Sequence, residues 1–172
     1  MQELVNKGLI LAGHDISAGG LITTLLEMCF ANVEGGMEIN LDKIKEQDLI
    51  KILFAENPGI VIQVSDKHKE TVKQILEDAG VGYVKLGKPT DERHILVSKG
   101  DATYQFGIDY MRDVWYSTSY LLDRKQSMNG CAKKRFENYK MQPVEFAFMP
   151  DFKGKFSQYG ITPVSYTHLR AH

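Results

Sequence analysis

Apolar residues recur along this chain in two periods, one near that of a helix and one near that of a strand, and the switches between them mark the elements. Residues 3–8 read as the end of a helix, with Gly8 as its terminator. Residues 9–12 (LILA) form an apolar run that predicts a strand edge. From near Gly19, Leu21, Ile22, Leu25, Leu26, Cys29 and Phe30 fall at helical spacing, with Glu27 on another face, which predicts a largely buried helix. Residues 32–36 end it, and residues 37–41 (MEINL) then alternate apolar and polar as a half-buried strand does. Residues 48–54 read as a short helix and residues 56–59 (ENPG) as a turn. Residues 60–64 (IVIQV) are β-branched and nearly continuous, which predicts a central strand.

Ser65 or Asp66 is placed to cap the next helix, whose apolar face carries Val72, Ile75, Leu76 and Ala79 and whose wet face carries Lys67, Lys69, Glu70 and Lys73. Gly80 and Gly82 close it. Residues 83–86 and 94–97 read as strands joined by a loop rich in Gly, Pro and Asp. Residues 102–106 make a third, after a hairpin turn at Lys99, Gly100 and Asp101. Residues 107–126 return to the helical period, with Tyr110, Val114, Trp115, Thr118, Leu121 and Leu122 on one face. Core packing is the plain reading of that face, and docking against another domain the sharper one. Helices alternating with strands, then hairpins, favour an α+β layered domain over a doubly wound parallel sheet.

Composition narrows the function classes. A chain of 172 residues is about one domain with an appendage, and 43% apolar with 25% charged residues is ordinary for a soluble globular protein. A net charge of −1 gives no electrostatic case for nucleic acid or an anionic membrane. No apolar run approaches the roughly 20 residues of a membrane span, and no basic-then-apolar leader opens the chain. Cys29 and Cys131 each lack a second Cys nearby, so both read as reduced thiols of a cytoplasmic protein. After Lys125 a basic run (Lys133, Lys134, Arg135, Lys140) with Phe136 and Tyr139, then Pro143 and Pro150, reads as a linker lying on another domain.

Residues 14–21 (HDISAGGL) carry the candidate chemistry. An acid, a hydroxyl and two glycines between a strand and a helix can hold a phosphate and its metal ion, because helix N-terminal amides favour anions and glycines admit close approach. Asp15 supplies a hard oxygen suited to magnesium. On residue chemistry alone, an N-cap turn in which Asp15 or Ser17 satisfies the first helical amides stands equal to it.

The runs LILAGHDISAGGLITTLLEMCFAN, LFAENPGIVIQVS and RDVWYSTSYLLDRKQ resemble the large, multidomain phosphoribosylformylglycinamidine synthases. The resemblance implies a three-layer domain of the aminoimidazole-ribonucleotide-synthetase C-terminal type over residues 1–125, its mixed sheet flanked by helices. Residues 126–163 would then lead toward a glutaminase domain, and residues 164–172 are read as a non-native, adaptor-derived tail. It also implies an ATP-dependent ligase of purine biosynthesis that turns formylglycinamide ribonucleotide into the amidine with ammonia from glutamine. Partners are nucleotide, that ribonucleotide and the other synthetase and glutaminase domains. Cofactors are Mg2+ and ATP or ADP. The family's H-D-x-S-x-G-G turn falls on His14, Asp15, Ser17, Gly19 and Gly20; Asp15 takes the magnesium role, and Ser17, Gly19 and Gly20 the nucleotide. Many relatives carry a second acid where this chain has Ala18. The pair is expected to serve an auxiliary rather than a catalytic nucleotide, so no catalytic residue is assigned.

Other candidates have plainer readings. His14 is read as ordering the turn by hydrogen bonding rather than as an acid–base group. Glu56 faces either a substrate cleft or solvent. His68 and His94 are read as surface residues and Trp115 as packing between domain halves; Cys131 is not a glutaminase nucleophile, nor are His168 and His172 a metal pair. The enzymatic alternative is another member of the superfamily, of the aminoimidazole ribonucleotide or selenophosphate synthetase type. A noncatalytic nucleotide-binding module is the alternative of a different class.

Overall fold

The computed structural model describes residues 1–138. In chain order these form α1 (Gln2–Asn6), β1 (Ala12–Ile16), α2 (Gly20–Phe30), β2 (Gly36–Asn40), α3 (Leu49–Phe54), β3 (Gly59–Gln63), a 3-10 turn (Asp66–His68), α4 (Lys69–Asp78), β4 (Gly87–Thr90), β5 (His94–Lys99), β6 (Ala102–Gly107), α5 (Ile108–Gln126) and α6 (Cys131–Glu137). The expected linker beyond residue 138, with Tyr139, Lys140, Pro143 and Pro150, and the tail with His168 and His172 lie outside the described residues.

The strands make a mixed four-stranded sheet in the order β4-β2-β5-β6 and a separate antiparallel pair, β1-β3. Within the larger sheet β2 and β5 run parallel, and the other neighbours are antiparallel. This is the expected α+β arrangement, a mixed sheet flanked by helices. Its core is built where α2 lays Leu21, Ile22, Leu25, Leu26 and Cys29 against Ile39 and Leu41, Ile95 and Val97, Leu53 and Ile108. A smaller cluster joins Leu4, Leu9 and Val72 under the β1-β3 pair.

Several expectations change. The first strand covers residues 12–16 rather than 9–12, because Leu9 turns into the smaller core while Leu11 stays exposed. His14 and Asp15 therefore stand on a strand. The run after Gly59 is not central: β3 pairs only with β1 among the described residues, and Ile60 is exposed. Residues 83–86 form no strand; β4 falls instead on Gly87, Lys88, Pro89 and Thr90, within the stretch expected to be loop. Gly87 makes this possible, since any side chain there would run into the Glu38 carbonyl of β2. Pro89 is tolerated because β4 is an edge strand.

The outer face of α5 also differs from expectation. Tyr110, Val114, Trp115, Leu121 and Leu122 are all exposed, and the helix is anchored instead through buried Ile108 and Arg112. Arg112 donates to the Phe136 carbonyl of α6 and lies over the Tyr116 and Phe136 rings. Neither Ser65 nor Asp66 makes a side-chain cap, and the buried Ser65 hydroxyl has no hydrogen-bond partner. His68 and His94 are half-buried rather than on the surface.

Candidate functional site

The HDISAGGL segment runs from β1 into α2. Its strand half is held by β3: Asp15 lies opposite Ile60 and Ile16 opposite Gly59. Its turn half ends on Gly19 (φ 82°) and Gly20 (φ 71°), left-handed conformations that strongly favour glycine. A side chain at Gly20 would come within 2.7 Å of the Leu53 carbonyl oxygen, so this glycine also admits the backbone of α3. At Gly19 a side chain would meet that of Thr23. Both glycines thus have structural reasons within the fold, beside any ligand.

The N-cap position of α2 is Gly19, and no side chain caps the helix. Neither Asp15 nor Ser17 is used as a cap, contrary to the plainer reading of the turn. The Asp15 side chain is 72% exposed, with His14 Nδ1 3.6 Å from its Oδ1. Ser17 is exposed; its carbonyl accepts from the Gly20 amide at 3.0 Å, which tightens the turn. The turn's other anion is internal: Glu56 accepts from the Gly19 amide at 2.9 Å through Oε1. Glu56 therefore faces the turn and neutralises part of the partial positive charge at the start of α2.

Behind Asp15 the main chain is tied to α2. Its carbonyl accepts from the buried Thr24 hydroxyl at 3.0 Å and from His14 Nδ1 at 2.8 Å. His14 Nε2 lies 3.2 Å from Glu27 Oε2, and Glu27 Oε1 accepts from the Trp115 indole N–H at 2.9 Å. Trp115 packs on Phe30 with ring centroids 5.3 Å apart. His14 orders the segment, as read from the sequence, and Trp115 bridges α5 to α2. Thr24 was missed, and the only sequence signal for Glu27 is a lone acid in an otherwise apolar helix.

At the far end of α2, Arg93 donates to the Cys29 carbonyl at 3.1 Å and to the Gly35 carbonyl at 3.2 Å, and pairs with Asp109. Burial pushes the Cys29 thiol above its usual range, opposed by the charge of Arg93. Cys131 is exposed, and both cysteines are free. Among the described residues no three His, Cys, Asp or Glu side chains gather as a metal-binding group, and no helix is long and apolar enough to cross a membrane.

Comparison with known proteins adds a family and a fold. Residues 1–99 match the family model described as AIR synthase related protein, C-terminal domain. A probable phosphoribosylformylglycinamidine synthase of Arabidopsis thaliana, chloroplastic/mitochondrial, is 34% identical over 144 residues, covering 83% of this chain and 10% of that protein. The human phosphoribosylformylglycinamidine synthase is 34% identical over 134 residues, 76% of this chain and 10% of its own length. The chain thus spans about a tenth of these relatives. Among solved structures, Thermotoga maritima PurL complexed with ATP superposes with a TM-score of 0.55 at 17% identity, over 62% of this chain and 19% of that one. The same protein complexed with FGAR gives 0.54 at 20% identity, over 63% and 19%.

Proposed function

Because the chain belongs, through residues 1–99, to the family described as AIR synthase related protein, C-terminal domain, we propose that it is the nucleotide-contacting part of a phosphoribosylformylglycinamidine synthase. The whole enzyme would be an ATP- and glutamine-dependent ligase that converts formylglycinamide ribonucleotide to the amidine. In this reading residues 1–125 are the synthetase-type domain, residues 126–163 lead toward a glutaminase domain, and residues 164–172 are a non-native tail. The relatives' names support the activity, and the PurL complexes with ATP, ADP and FGAR support the ligand classes. Two free thiols fit a cytoplasmic protein.

One observation carries the site assignment: Asp15 and Ser17 stand exposed where β1 meets α2, and neither is spent on capping the helix. Asp15 fits magnesium as a single hard-oxygen donor. Magnesium often takes one or two carboxylates, with phosphate oxygens and water completing its shell. When bound, it would supply neutralisation of the nucleotide's phosphate charge. Ser17 would donate to a phosphate oxygen, while Gly19 and Gly20 hold the turn in the conformation that presents both residues. The nucleotide served is an auxiliary, structural one, with the reacting groups supplied elsewhere in the enzyme.

Titrating Mg-ADP into the full-length protein tests this. Asp15→Asn should weaken binding at least tenfold and Ser17→Ala severalfold, with melting temperature nearly unchanged. Unaltered Mg-ADP affinity in both variants would remove the assignment.

A further inference from the structure

We infer that His14 and Glu27 are positioning residues for Asp15, with Trp115 holding Glu27 in place. The inference rests on the reading of Asp15 as the magnesium ligand. It concerns how this one carboxylate is aimed.

The Asp15 side chain has little around it, so its direction is set by its main chain. β1 offers limited support, because a two-stranded pair is marginal by itself and β3 is its single partner among the described residues. Tethers from α2 supply what the sheet does not. Thr24, 2% exposed, donates to the Asp15 carbonyl from inside the core. His14 Nδ1 lies at hydrogen-bond distance, 2.8 Å, from the same oxygen. Glu27, with 24% of its side chain exposed, meets the opposite ring nitrogen at 3.2 Å and fixes the ring plane. Trp115 donates to the second Glu27 oxygen at 2.9 Å, 88 residues along the chain. The series therefore crosses β1, α2 and α5 and ends on the carbonyl of the proposed ligand.

A fold staple would use the same contacts for a different end. Half-exposed ion pairs contribute little to stability, on the order of 0–1 kcal/mol. Groups that orient a metal ligand, by contrast, change metal affinity by about 10–100-fold when removed. The two roles thus separate in measurement.

Two readouts in the full-length protein decide between them. The first is the affinity of Mn2+ with ADP. Glu27→Ala and His14→Ala should weaken it by about 10–100-fold, Glu27→Gln less, and Trp115→Phe, which keeps the ring packing and removes the donor, severalfold, all with melting temperatures close to that of the parent. The second needs no metal: in fluorotryptophan-labelled protein, the fluorine resonance lost in Trp115→Phe should shift in Glu27→Ala and, by less, in His14→Ala. If Asp15→Asn loses Mn2+ and Glu27→Ala does not, the positioning role is wrong. A Trp115 resonance unmoved in Glu27→Ala, or affinity that falls only in step with folded stability, also overturns it. If Asp15→Asn itself binds Mn2+ normally, the ligand assignment fails instead, and the Trp115 resonance still judges the contacts.

Discussion

At the scale of single residues, Gly20 is the position where the turn tolerates least. Its left-handed φ of 71° penalises any side chain, and the Leu53 carbonyl and Phe54 backbone fill the place a Cβ would take. Strain of this kind costs roughly 1–3 kcal/mol before the displacement of α3 is counted. Gly20→Ala should therefore lower unfolding free energy by at least that much in urea melts, whereas a variant as stable as the parent would show that α3 gives way freely. Asp42 shows a different dependence. Its carboxylate accepts first from the Gly100 amide and then from Asn40, and these hold it below its ordinary value of 3.8. A depressed carboxylate contributes stability above its unfolded pKa, and that contribution fades as pH falls through the folded one. Asp42→Ala should thus be less stable than the parent near neutrality, with the gap closing below about pH 4. A gap that stays constant into acid would show that the charge of Asp42 does not matter there.

At the scale of elements, periodicity located helices better than strands. The buried stripe of α2 (Leu21, Ile22, Leu25, Leu26 and Cys29) is the one its spacing predicts, because a helix carries its own hydrogen bonds and needs only an apolar face. Strands depend on partners. Residues 83–86 have the residue types of a strand but form none, while Gly87 and Pro89, poor strand formers, pair because β2 offers an open edge at that register. The apolar face of α5 shows the limit from the other side: spacing reveals which residues share a face, not what lies against it. Within the candidate site, residue chemistry left the turn open between a ligand site and a helix cap, and the family resemblance gave Asp15 and Ser17 their expected roles. The tether from Thr24, the ring contact of Glu27 and the amide held by Glu56 join residues up to 37 positions apart, and the Trp115 contact joins residues 88 apart. No local pattern encodes such pairings.

At the scale of the molecule, the limiting fact is the number of ligands one face can offer. Asp15 is a single carboxylate, and no three metal-binding side chains gather among the described residues. A magnesium ion held at this turn would need phosphate oxygens and donors from outside these elements to complete its shell. The same would hold for the proposed reaction: activating the amide oxygen with ATP would need phosphate-binding groups of its own, and this chain spans 10% of the human synthase it is similar to. Purified as these 172 residues and supplied with ATP, magnesium, formylglycinamide ribonucleotide and ammonium, the chain should form no amidine. Product above background, lost in Asp15→Asn, would show that the turn is a reaction centre in its own right rather than one wall of a shared pocket.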